Sequence, residues 1–138
     1  MAAEMQKVQY AQEHFLDIMD DLYRSTDKKI DRDSNEIALF FGETPLTPYQ
    51  LSSGEKQILV ILLTVLVQNN QPAVLIMDEP EISLHIDWQE KLIAHIRELN
   101  PNVQVIIATH SPGIIVDGWH DKVTEMSDIK HEISKISA

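Results

Sequence analysis

Two apolar runs that each end in polar residues limit the available folds most strongly. Residues 73–77 (AVLIM) come just before two acids, and residues 103–108 (VQVIIA) come just before Thr-His-Ser. Between them, residues 87–99 have the spacing of an amphipathic helix. This order predicts parallel strands in an α/β layered fold, with each strand buried on both faces. Because side chains at the carboxyl ends of such strands meet at one edge, we expect the chemistry there.

The rest of the chain has weaker patterns. A stripe at helical spacing predicts a helix over residues 3–25, either packed on its own domain or forming the stump of a longer arm or neighbouring lobe. Its members are Met5, Val8, Phe15, Ile18, Met19 and Leu22. The remaining predictions are a polar linker over 26–35, a strand over 36–41, a turn region over 42–48, a helix over 54–68 and a strand over 122–126.

Length and charge exclude several classes of protein. The 138 residues fit one domain, and 22 acidic against 11 basic residues give a net charge of -11. A surface this acidic repels phosphate backbones, so a nucleic-acid groove within this stretch is disfavoured. The chain has no cysteine, which agrees with a reducing cytosol. The longest apolar stretch, residues 58–67, is too short to cross a bilayer. We therefore expect a soluble, cytoplasmic protein, for which any membrane role would need a partner.

Three groups of residues have the composition of a phosphate site. Asp78 can hold Mg²⁺ through water, and Glu79 can reach an attacking water, although solvated turn acids are the simpler interpretation of the pair. His110 can donate to a phosphate oxygen, or it can be a structural histidine. The segment LSSGEKQ at 51–57 begins a helix whose free amides favour an anion, although a serine N-cap explains Ser52 or Ser53 equally well.

Taken in order, LSSGEKQ, VLIMDEPEISLH and IIATHS resemble the ABC-type ATPases, and most closely their non-transporter branch. That branch includes SMC-like, RecF-like and OLD-like heads and the AAA-labelled ATPases of bacterial defence or DNA-maintenance systems. The resemblance covers roughly residues 48–126. It implies a partial P-loop NTPase fold, in which helices flank a parallel sheet and an N-terminal helix precedes it. Residues 1–45 would then be the remnant of an upstream lobe or arm, and residues 46–138 the carboxyl-terminal part of the ATPase domain.

The resemblance also implies roles for single residues. Ser52, Ser53, Gly54 and Glu55 match the signature loop, which in the family touches the γ-phosphate of ATP held by the opposite head. Asp78 matches the Walker B aspartate that supports Mg²⁺, Glu79 the catalytic glutamate, and His110 the switch histidine. Ser83, Leu84 and His85 occupy the D-loop, which crosses the dimer interface in the family.

The sequence departs from the family pattern in two ways. Ser53 stands where many relatives have glycine, Glu55 where transporters have glutamine, and His85 where transporters have aspartate. More important, none of the four glycines is followed by lysine, so the Walker A loop that grips ATP is absent from this sequence. We therefore expect the isolated chain to be inactive. Either it is part of a longer ATPase, which we favour, or it is a split subunit completed by a Walker A-bearing partner.

Two functions follow from the resemblance. The first is ATP hydrolysis with Mg²⁺ by heads that dimerise around ATP, coupled to a DNA-related or defence effector through other parts of the assembly. The second is a non-hydrolysing module that docks on a nucleotide-loaded partner. A structural protein that has lost its activity is a third alternative. Against it stand five intact motif residues, Ser52, Gly54, Asp78, Glu79 and His110.

Overall fold

Three helices of at least 14 residues and two small sheets make up the structure, a computed structural model that describes residues 1–115 and 118–130. The helices are α1 (Ala2–Tyr23), α2 (Ser53–Leu66) and α3 (Ile86–Leu99). The strands are β1 (Lys28–Ile30), β2 (Leu39–Phe41), β3 (Thr44–Leu46), β4 (Ala73–Asp78) and β5 (Val103–Ala108). Short 3₁₀ turns occupy Arg24–Thr26, Pro48–Gln50 and His120–Lys122.

Strands β4 and β5 form the predicted parallel pair, in register from Ala73 opposite Val103 to Asp78 opposite Ala108. Their inward side chains join a core that α2 and α3 complete. The outward side chains Val74, Ile76 and Ile106 are 57%, 73% and 48% exposed. The α/β class is therefore confirmed. The expectation of burial on both faces is wrong, because within residues 1–115 and 118–130 the helices cover one face only.

Helix α1 contributes its carboxyl-terminal half to the same core. Phe15, Ile18, Met19, Leu22 and Tyr23 are buried, and the helix packs against both α2 and α3. Of the predicted stripe, Met5 and Val8 are 71% and 41% exposed, so the apolar spacing of the first turns is not used for packing in this structure. The second half of α1 therefore packs on α2 and α3.

A three-stranded antiparallel sheet, ordered β1-β2-β3, replaces most of the predicted linker and turn region. Ile30 and Leu39 lie opposite each other and are 5% and 1% exposed, which explains why β1 forms inside a polar segment. Gly42 adopts a φ of +59° in the tight turn that joins β2 to β3, a conformation that glycine tolerates best. The predictions of a linker over 26–35 and of a turn region over 42–48 are therefore wrong. The strand predicted over 36–41 is observed only at Leu39–Phe41.

The predicted strand at 122–126 is also wrong. Lys122 ends a 3₁₀ turn, and residues 123–125 have no regular structure. Val123 and Met126 are 49% and 73% exposed, so these apolar residues do not reach a sheet. In the described residues no helix is long and apolar enough to cross a lipid bilayer.

A buried ion pair fastens the antiparallel sheet to α2. The Lys28 ammonium lies 2.8 and 2.9 Å from the two oxygens of Glu55, whose side chain is 2% exposed. The Tyr23 hydroxyl donates to the Glu55 carbonyl oxygen at 2.8 Å, and burial raises the pKa of Tyr23. Burial alone would raise the pKa of Glu55, but the hydrogen bonds from Lys28 and from the Ser52 N–H outweigh it and lower that pKa.

Removing the Lys28 cation tests whether this ion pair anchors the antiparallel sheet. In Lys28→Met the buried Glu55 carboxylate loses its partner, so we expect the free energy of unfolding to fall by about 3 kcal/mol in urea denaturation at neutral pH. Lys29→Met, at the exposed neighbouring position, is the matched control and should change it by less than about 0.5 kcal/mol. Equal effects of the two variants would contradict the anchor.

Acid should remove the same contribution. Because the folded-state pKa of Glu55 is lowered, the stabilisation is present above the ordinary carboxyl pKa and is lost as pH falls through the lowered value. We expect the stability gap between wild type and Lys28→Met to shrink between about pH 6 and about pH 3. A gap that is constant over this range, measured by urea denaturation, would show that the carboxylate is not the group involved.

Candidate active site

The carboxyl ends of β4 and β5 bring the predicted acids and histidine together. Asp78 pairs with Ala108, and the Glu79 N–H extends the ladder by donating to the Ala108 carbonyl oxygen at 2.8 Å. Nε2 of His110 then lies 3.2 Å from Oε1 of Glu79. The His110 side chain is 93% exposed, and Asp78 is exposed on the outward side of the sheet. The expectation that the two strands deliver these side chains to one edge agrees with this geometry.

The turn that follows β4, residues 79–84, has an unusual backbone. Glu79 and Ser83 have φ values of +48° and +72°, in the left-handed region that side chains other than glycine rarely adopt. Two backbone bonds close the turn, from Ile82 N–H to the Glu79 oxygen and from Leu84 N–H to the Glu81 oxygen. Strain of this kind is retained where the surroundings fix the conformation, and it gathers at functional sites.

A third acid, Glu81, joins the two strand ends. Its Oε1 accepts hydrogen bonds from the Thr109 hydroxyl at 2.5 Å and from the His110 N–H at 3.1 Å. The adjacent Glu81 carboxyl raises the pKa of Glu79. Burial would raise the pKa of Glu81, but its hydrogen bonds, beginning with that from Thr109, lower it. The neighbouring carboxyls therefore differ in proton affinity, and Glu79 is the one that holds a proton more readily.

The signature loop packs directly on the 79–84 turn. An added Cβ at Gly54 would clash with the carbonyl oxygen of Ser83, so glycine is required for this close approach. The Gln57 amide donates to the Pro80 carbonyl oxygen at 2.6 Å. The amino-terminal end of α2 and the 79–84 turn, called the acidic turn below, are consequently one packed unit.

Within the signature loop, the four predicted residues differ in what they present to solvent. Ser52 is the exposed N-cap of α2: its hydroxyl accepts from the Glu55 N–H at 3.2 Å, and its own N–H donates to the Glu55 carboxylate at 2.7 Å. Ser53 is exposed as well, whereas Gly54 and Glu55 are buried. Glu55 therefore holds the loop from inside, with its carboxylate bonded to the Lys28 ammonium and the Ser52 N–H. The Ser-x-x-Glu spacing of a capping box is the sequence signal for this role.

The D-loop residues also divide by exposure. Ser83 and His85 are exposed, but Leu84 is 6% exposed and packs in the core. His85 caps α3, because its Nδ1 accepts from the Asp87 N–H at 3.3 Å. Sequence reasoning missed Gln57, Glu81 and Thr109, whose roles depend on contacts between distant segments.

Residues 4–117 match the family described as "AAA domain, putative AbiEii toxin, Type IV TA system". The chain belongs to this family. The match includes the signature loop, the acidic turn and the histidine, so the family and the geometry concern the same residues. The chain is therefore part of an ABC-like ATPase domain, as the resemblance implied.

Several curated relatives carry the name of a probable ATPase or of an ATP-binding protein. The chain is similar to the retron Ec83 probable ATPase of Escherichia coli (30% identical over 97 residues, 62% of this chain and 18% of the relative). It is also similar to the retron Vc95 probable ATPase of Vibrio cholerae (22% identical over 122 residues, 80% and 22%). An uncharacterized ABC transporter ATP-binding protein of Haemophilus influenzae is 43% identical over 65 residues, 46% of this chain and 24% of the relative. The chain thus spans about a fifth of the length of the retron ATPases.

The contact between α2 and the 79–84 turn can be tested by substitution. In Gly54→Ala the new methyl group must displace the Ser83 backbone, so we expect the free energy of unfolding to fall by about 2 kcal/mol in urea denaturation. Ser53→Ala, at the exposed neighbouring position, should change it by less than about 0.5 kcal/mol. Unchanged stability of Gly54→Ala would contradict the close approach.

Proposed function

We propose that this chain supplies the γ-phosphate-facing half of an ATP-hydrolysing ABC-type ATPase. The observation that carries the proposal is the 3.2 Å contact between Glu79 and His110 at the ends of the parallel strands β4 and β5. Helix α2, the signature helix, packs on the turn that follows β4. Membership of the AAA family and the ATPase relatives support the same activity.

The side chains have separate roles in this mechanism. The Glu79 carboxylate orients a water for attack on the γ-phosphorus, and ADP leaves as the bond to the β-phosphate oxygen breaks. His110 donates a hydrogen bond to a γ-phosphate oxygen, which its exposed ring is free to reach. Positioning and charge stabilisation account for most of the catalysis of such reactions, so fixing these two groups on strand ends is the contribution of this chain.

Asp78 is the residue that would hold Mg²⁺. The described residues contain no cluster of three or more histidine and acidic side chains that could bind a metal alone. A single exposed carboxylate nevertheless fits this cation, which keeps several waters and takes phosphate oxygens as its remaining ligands. Bound Mg²⁺ would neutralise charge on the β- and γ-phosphates.

A second polypeptide segment is needed to complete the site. The sequence has no Gly-Lys phosphate loop, and the outward face of β4 and β5 exposes Val74, Ile76 and Ile106. Parallel sheets are covered on both faces, so the assembled ATPase should place further structure there. We propose that a Walker A-bearing part grips the nucleotide and that a second head presents Ser52 and Ser53 to the γ-phosphate, forming a dimer around ATP.

The coupled process is a defence or DNA-maintenance activity in this proposal. The toxin–antitoxin wording of the family description and the retron ATPases among the relatives favour it over transport. The similarity to a transporter ATP-binding protein covers 65 residues, which is consistent with a shared ATPase core. An effector protein or nucleic acid would then be bound by other parts of the assembly.

Replacing the catalytic carboxylate tests hydrolysis. In the complete ATPase, meaning this chain together with its Walker A-bearing part, Glu79→Gln should lower kcat by about 100-fold or more and leave ATP binding intact. Glu90→Gln, at an exposed position of α3, is the control and should retain the normal rate. Normal turnover by Glu79→Gln in a phosphate-release assay would contradict the assignment.

A non-hydrolysing docking module is the second candidate, because the sequence lacks the loop that grips ATP. Calorimetric titration of the isolated chain with Mg-ATP separates autonomous from assisted binding. We expect a Kd weaker than about 1 mM, since only groups that face the γ-phosphate are present. Micromolar binding by the isolated chain would contradict the need for a Walker A-bearing part under either function.

A further inference from the structure

Glu81 makes contacts that the proposed roles of Glu79 and His110 do not require. Its Oε1 accepts two hydrogen bonds from the segment after β5, one from the Thr109 hydroxyl and one from the His110 N–H. Its Oε2 is buried and has no hydrogen-bond partner among residues 1–115 and 118–130. The carboxylate therefore reaches from the turn after β4 to the turn after β5.

The segment that carries His110 depends on the same hydroxyl. Thr109 Oγ1, besides donating to Glu81, accepts from the Ser111 N–H at 3.0 Å. Glu81 thus fixes the side chain around which the 109–111 turn is built and also the backbone N–H of the histidine itself. Because the His110 side chain is 93% exposed, packing contributes little to its position, and the backbone must provide the orientation.

We propose that Glu81 is a positioning residue: through Thr109 and the His110 N–H it fixes the 109–111 turn and thereby sets the contact between His110 and Glu79. The inference rests on the proposed function for its catalytic consequence but not for its structural content. Glu81 acts through these neighbours, since both donors that its Oε1 accepts from belong to the segment after β5. Its position two residues after the catalytic glutamate lets one turn carry both the reacting carboxylate and the group that orients its partner.

Amide hydrogen exchange of the full chain, followed by NMR, tests the structural content. In Glu81→Ala, exchange of the His110 amide should accelerate by about tenfold, while amides of α2 and α3 keep their wild-type protection. Glu81→Gln retains an oxygen that accepts both bonds, so its His110 amide should stay within about threefold of wild type. Glu90→Ala is the control for loss of an exposed acid and should leave His110 exchange unchanged.

Two results would overturn the proposal. One is wild-type exchange at His110 in a folded Glu81→Ala variant. The other is a folded Glu81→Gln variant whose His110 amide exchanges as fast as an unprotected one. If Glu81→Ala does not fold, Thr109→Val decides instead, because it removes one donor and keeps the acid. Faster exchange of the His110 amide in this variant supports positioning by Glu81 through Thr109, and wild-type exchange contradicts it.

Kinetics of the complete ATPase separate positioning from general destabilisation. Glu81→Ala should lower kcat by about tenfold, with KM for ATP within about twofold, and Glu81→Gln should restore most of the rate. A rise in KM at constant kcat, or no rescue by Gln, would contradict positioning. Failure of the proposed function has a different signature, since normal turnover by Glu79→Gln would refute it whatever the exchange of the His110 amide shows.

Discussion

The close contact between α2 and the 79–84 turn is the constraint on which the site depends. Gly54 lies against the Ser83 carbonyl oxygen, and Gln57 donates to Pro80, so the signature helix cannot shift without moving the acidic turn. On its other side the turn is joined to β5 by the Glu79 N–H and by Glu81. The signature loop, the acids and the histidine are therefore positioned relative to one another by a single six-residue segment.

This arrangement has a physical consequence for a two-headed enzyme. In the proposed dimer, the signature loop faces nucleotide held by the opposite head, whereas Glu79 and His110 face nucleotide on their own head. A rigid connection between α2 and the turn after β4 would transmit a displacement at one nucleotide to the other. Packed elements transmit strain because interiors are dense, and direct backbone contact at a glycine leaves no soft side chain to absorb the movement.

The sequence predicted the elements whose signals are local. The runs that became β4 and β5, the helices near them and the meeting of Glu79 with His110 all follow from periodicity and from the geometry of parallel strands. It did not predict β1 or β3, because residues 26–35 have the composition of a linker and residues 42–48 that of a turn. Strand β1 is held by a distant contact, since Lys28 is anchored by Glu55, 27 positions away. The role of Glu81 was missed for the same reason, since its partners lie at the end of a different strand.

A structure of the assembled ATPase, with Mg²⁺ and a non-hydrolysable ATP analogue bound, measures the central claim most directly. We expect the terminal phosphate within hydrogen-bonding distance of His110, with Glu79 facing the position of the attacking water and the Ser52–Gly54 loop of a second copy closing the site. A terminal phosphate bound away from the ends of β4 and β5 would contradict the assignment of this edge as the site of hydrolysis.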